Sequence, residues 1–150
     1  MYEQVQPKKD LLAYRASIIE ALLRDMAFAI QRTLKKPDAS TVHDLRRLSL
    51  RLRHALRFFG RVLPSRPVRK VQRRLKILQA LLGSVRSCDV ALDTLLRPGL
   101  AEAASKIETR KVTTVVGAER RRGLRPLRVR LRKMQRADSI GRWRSRLLAA

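Results

Sequence analysis

Apolar residues recur through this chain with the period of an α-helix, and that recurrence limits the fold before anything else does. The clearest case lies between Val68 and Leu96, where Val71, Leu75, Leu78, Leu82 and Val85 follow the spacing i, i+4, i+7, i+11, i+14. Such a stripe covers one face of a helix and must be buried against another apolar surface. The stretch from Asp10 to Lys36 repeats the pattern through Leu11, Leu12, Ile18, Ile19, Leu22, Leu23, Met26, Phe28, Ile30 and Leu34, with Asp10 as N-cap and Lys35 and Lys36 at the end that the helix dipole favours. Pro37 stops that helix, and Asp38, Ser40 and Thr41 offer capping groups for a second from about Thr41 to Leu63, which Pro64 and Pro67 end. Beyond a turn at Arg97-Pro98-Gly99, a helix is expected from Leu100 to about Arg122, although the β-branched run Val112 to Val116 favours it least. Gly123 is read as a break, Pro126 as the first turn of another helix through about Ala137, and Asp138 as the cap of a short last one ending at Leu147 and Leu148. Short connections between helices imply antiparallel packing, so the expected class is an all-α, antiparallel helical bundle.

At 150 residues the chain has the length of one domain, and its 45% hydrophobic content supplies a core. Lys and Arg together number 36 against 12 Asp and Glu, a net charge of +24. A compact fold so charged repels itself until an anion joins it. Arg outnumbers Lys, and its planar fork matches phosphate oxygens two at a time, so phosphate ranks above carboxylate as the target. Aromatic residues make up only 4% of the chain, which argues against modules that stack bases on aromatic platforms. The single cysteine, Cys88, suits a reducing cytoplasm, and no apolar run approaches the roughly 20 residues of a membrane span.

The second helix carries the strongest functional signal. Leu45, Leu48, Leu52, Ala55, Leu56 and Phe59 gather on one side, while His43, Arg46, Arg47, Arg53, His54 and Arg57 form a strip on the other with Leu50 as its one apolar member. Solvated helix faces usually interleave acids with bases. Here Asp44 is the only carboxylate between Asp38 and Asp89. Arg69, Arg73 and Lys76 repeat the arrangement on the third helix, and packing the two apolar stripes together brings the basic strips into a groove about 10 Å across. Arg86 and Asp89, at i and i+3, are positioned to pair, with Asp89 aiming Arg86. Residues 42–53 align weakly with 124–135 at an offset of 82 (124 minus 42), which places Leu45 on Leu127 and Arg46 on Arg128. His43 and His54 have no Cys or carboxylate cluster to complete a metal shell, and no catalytic motif is present. Neither a metal, a cofactor nor an enzymatic activity is expected.

The segments Val42-His43-Asp44-Leu45-Arg46, Arg51-Leu52-Arg53 and Leu56-Arg57-Phe58-Phe59 resemble the signature helix of the CHAD family, helical domains named for their histidine. Downstream, Leu75-Lys76 and Leu82-Gly83-Ser84-Val85-Arg86-Ser87-Cys88-Asp89-Val90 are similar to that family's Leu-Gly-x-x-Arg-Asp-x-Asp-Val segment, in the same order and spacing. Residues Leu124 to Ala137 resemble its second internal His-x-x-Arg helix. The resemblance covers about Asp10 to Ala137 and implies one helical domain, a four-helix bundle plus a partial second copy. It implies non-catalytic binding of inorganic polyphosphate along a basic groove, with association to polyphosphate granules. The basic strips and the resemblance together give the residues expected on the ligand: His43, Arg46, Arg53, Arg57, Arg73, Lys76, Arg86, Arg125, Arg128 and Arg132. Three positions depart from the family pattern: Leu50 stands for an arginine, Ser87 for an aspartate and Arg125 for the second histidine. Members of the family carry two complete four-helix halves, so the second half here is expected to be partial, degenerate or completed by another copy in a homo-oligomer. The alternative from charge alone is a nucleic-acid-binding helical protein.

Overall fold

The computed structural model describes residues 7–99 and 105–149, and every regular element among them is helical. Four long helices, α1 (Pro7–Lys35), α2 (Ala39–Phe58), α3 (Ser65–Leu95) and α4 (Lys106–Arg136), are followed by a short α5 (Ser139–Leu147). Each long helix packs antiparallel on the next, α4 returns against α1, and α5 closes the core against α1, α3 and α4.

The expected stripe is the buried face of α3: Val71, Leu75, Leu78, Leu82 and Val85 all lie in the core, facing Leu45, Leu52 and Leu56 of α2 and Leu127 and Leu131 of α4. Two of the buried hydroxyls are satisfied within their own helices, Thr33 by the Ala29 carbonyl and Ser49 by the Arg46 carbonyl, each at 2.7 Å. Trp143 and Leu147 bring α5 onto this core. The two segments offset by 82 residues bury the same register: Val42, Leu45, Ser49 and Leu52 in α2, and Leu124, Leu127, Leu131 and Met134 in α4.

Four boundaries differ from the sequence reading. Helix α1 begins at Pro7, a residue suited to the first helical position, so Asp10 lies inside its first turn and is not its N-cap. Helix α2 ends at Phe58 rather than Leu63, because at Gly60 the backbone switches to the tighter Arg57 carbonyl, and Phe59 and Leu63 turn into the core. Pro64 is then the N-cap residue of α3, and Pro67 lies in its first turn, where a missing N–H costs nothing; the two prolines open α3. The turn expected at Arg97-Pro98-Gly99 is confined to Leu96 and Arg97, and Pro98 and Gly99 already have helical geometry. The start of the expected next helix, residues 100–104, lies outside the described residues.

The largest difference is α4, a single helix where two were expected. Gly123 does not break it. A Cβ there would stand 3.3 Å from Cγ2 of Val85, so the glycine lets α4 pass close to α3. Pro126 is exposed, and the carbonyl it leaves without a donor can be hydrated. A helix-interior proline costs about 3 kcal/mol. The burial of Leu124, Leu127, Leu131 and Met134 along the same face contributes about 1.5–3 kcal/mol each and outweighs it. In the β-branched run, the hydroxyls of Thr113 and Thr114 donate to the carbonyls of Thr109 and Arg110 at 2.7 and 2.9 Å, a local arrangement that helical geometry permits.

Candidate functional site

Because α2 and α3 pack through their apolar stripes, their polar flanks meet along a seam. There Arg53 and Arg57 from α2, with Arg69, Gln72, Arg73 and Lys76 from α3, line an open groove of ≈ 360 Å³. No carboxylate contributes to this lining. Among the described residues none of the five basic side chains has an acidic partner. Arg53 is the anchored one. Its Nη1 donates to Oε1 of Gln79 at 3.0 Å, which fixes one edge of the guanidinium and leaves its other N–H groups for a ligand. The Nε2 of Gln79 is buried without a hydrogen-bond partner. Gln72 and Gln79 were not singled out from sequence, although extending the row Arg69, Arg73, Lys76 by three residues reaches Gln79.

His43, Arg46 and Arg86 lie farther along the α2–α3 seam. Since the helices run antiparallel, seven to ten residues back from Arg53 to Arg46 and His43, and ten forward from Lys76 to Arg86, carry the chain about 10–15 Å from the groove. All three are half-buried, and Nδ1 of His43 is buried without a partner. Arg47 leaves the strip altogether and, with Arg32, Arg51, Asp25 and Asp44, lines a mixed-charge cleft between α1 and α2.

The expected pairing of Asp89 with Arg86 is not made. Asp89, 7% exposed, receives Nε of Arg120, whose Nη2 also donates to the Pro37 carbonyl at 2.8 Å. One guanidinium thus joins α3, α4 and the α1–α2 connection, and Asp89 holds the bundle rather than aiming Arg86. Burial decides the choice, because Arg120 is also secluded (18% exposed) and needs a counter-charge.

Arg125, Arg128 and Arg132 are exposed on α4 and do not reach the α2–α3 groove. Helix α4 packs between α3 and α1. The ten residues expected on one ligand therefore fall in three places: Arg53, Arg57, Arg73 and Lys76 in the groove, His43, Arg46 and Arg86 along its seam, and three arginines on another helix. Among the described residues no three of His, Cys, Asp and Glu stand together as a metal set, and no helix is long and apolar enough to cross a membrane.

The donors of such a groove can make charge-assisted hydrogen bonds to an anion, and planar guanidinium groups match paired phosphate oxygens. A family model described as CHAD domain matches residues 17–150. No curated protein and no solved structure matches the chain.

Proposed function

Because the chain belongs to the CHAD domain family, we propose that it is a non-catalytic binder of inorganic polyphosphate, held along the α2–α3 groove. The observation that carries this reading is the lining itself: five basic side chains from two helices, no carboxylate, and one arginine already oriented by Gln79. Polyphosphate carries negative charge on every unit and no base. A straight track between two antiparallel helices meets it with repeated guanidinium and ammonium donors, and the ions released from both surfaces favour the complex. The groove lining contains no aromatic side chain on which a base would stack, so the reading does not extend readily to single-stranded nucleic acid. A duplex binder would draw on the same net charge, and it is the outcome against which the reading is tested. Association with polyphosphate granules follows from binding of this kind and is part of the proposal.

The test is binding of long-chain polyphosphate at about 150 mM salt, where weak phosphate contacts are screened. The wild type is compared with Arg53→Ala/Arg57→Ala/Arg73→Ala. Hydrogen bonds to charged groups are worth about 1.5–3 kcal/mol each. The triple variant is therefore expected to bind at least about tenfold more weakly, with unchanged helicity. Equal affinity would move the ligand off the groove.

A further inference from the structure

The arginines of α4 that miss the groove form a track of their own. Arg121, Arg125, Arg128, Arg132 and Arg136 are all exposed. At about 100° per residue they fall within an arc of about 80°, in a row about 22 Å long. Arg121 and Arg136 extend the three arginines singled out from sequence by about a turn at each end. The centre of the arc lies about 120° from the core-facing direction that Leu124, Leu127, Leu131 and Met134 define.

Contacts on either side of α4 fix which way the track faces. Gly123, on one flank, approaches Val85 and Ser84 of α3. Gln135, on the other, lines a cleft with Ala27 and Gln31 of α1. The arginine track lies beyond Gln135, on the α1 side. The α2–α3 groove and the α4 track therefore occupy opposite faces of the bundle.

Among the described residues none of the track's five guanidinium groups forms an ion pair. Glu119 is engaged by Arg122 at 2.8 Å, and Asp138 caps α5 through the Gly141 amide. The residues α1 brings to the neighbouring cleft, Ala27, Ile30 and Gln31, are uncharged.

We infer that the α4 track is a second polyphosphate site, and that one chain bridges two polyphosphate strands. The inference rests on the reading that the groove binds polyphosphate, and it adds valence to it. Two helix diameters, about 20 Å, separate the faces. That exceeds the screening length of about 8 Å at physiological salt, so a strand on one face leaves the other available. Two anion-binding faces pointing apart make a cross-link, with the gain in avidity that bivalence brings on a long polymer.

A two-strand capture experiment on the full chain tests this. Long-chain polyphosphate is tethered by one end, protein is loaded and washed, and fluorescently end-labelled polyphosphate is added; the readout is labelled strand captured per protein retained. Wild type is expected to capture the second strand. Replacing Arg121, Arg125, Arg128, Arg132 and Arg136 by Gln, or Arg53, Arg57, Arg69, Arg73 and Lys76 by Gln, is expected to lower capture per retained protein at least about tenfold, because each leaves one face. Removing five charges elsewhere, at Lys70, Arg97, Arg110, Lys111 and Arg146, is expected to leave the ratio at the wild-type value. Retention of wild type without capture, undiminished capture by either single-face variant, or an equal loss in the control variant overturns the bridging role. So does failure of the groove variant to be retained at any loading concentration, since the α4 track would then not hold a strand. Failure of wild type to bind the tethered strand at all instead removes the polyphosphate reading itself, and bridging with it.

Discussion

Asp89 and Arg120 carry opposite charges in a place where water screens neither well, with side chains 4% and 18% exposed. Taking one partner from a pair of this kind strands the other, which costs about 3–5 kcal/mol, whereas replacing both by apolar residues of similar volume is often neutral. Asp89→Leu is therefore expected to destabilise the chain by about that amount in chemical denaturation, and Asp89→Leu/Arg120→Met to recover most of the loss. Equal stability of the single variant and wild type would mean that the clamp contributes nothing. Its partner was not legible in the sequence: Arg120 is 31 residues away, while Arg86 sits at the helical spacing that a local pattern favours. Asp38 was legible as a cap, because proline, acid and hydroxyl residues stand together there. Its carboxylate accepts the Thr41 amide at 2.9 Å, and that bond, helped by the charge of Lys36, holds its pKa below the ordinary carboxylate value. The capping contribution is accordingly complete above about pH 4, the unfolded value, and is lost as pH falls through the lower folded one. Asp38→Asn caps without titrating. The stability difference between wild type and this variant is expected to be flat above about pH 4 and to shift against wild type at lower pH; a difference that does not change with pH would mean the carboxylate gains nothing from the fold.

Among the elements, α3 could be read directly because its apolar residues keep one period without interruption from Val71 to Val85. Helix α4 could not. Gly123 and Pro126 are the residues that most often end helices, and what keeps α4 continuous is contact with Val85 and the buried leucines, which local pattern does not contain. Proline at an exposed site inside a helix that packing maintains is a residual cost. Pro126→Ala is expected to stabilise the chain by about 1–3 kcal/mol, seen as a higher Tm with the same helical content. A lower Tm would show that Pro126 serves the packing of α4. Gly123→Leu is expected to act in the opposite sense, since a side chain there must push α4 from α3.

For the whole molecule, the net charge of +24 and the helical class were legible from composition and period, and so was the groove, because α2 and α3 each carry an apolar stripe beside a basic one. The distribution of arginines over opposite faces was not, because the facing of α4 depends on which flank meets α1 and which meets α3. A molecule so charged attracts every phosphate polymer, so affinity for polyphosphate alone does not separate a dedicated groove from a basic surface. Competition does. Labelled long-chain polyphosphate bound to the protein at about 150 mM salt is displaced with unlabelled polyphosphate and with length-matched single- and double-stranded DNA. The account predicts that polyphosphate competes at a phosphate concentration at least about tenfold lower than either DNA, a preference of about 1.4 kcal/mol or more, and that Arg53→Ala/Arg57→Ala/Arg73→Ala abolishes this preference. Equal competition by DNA, or a preference untouched in the triple variant, would contradict it.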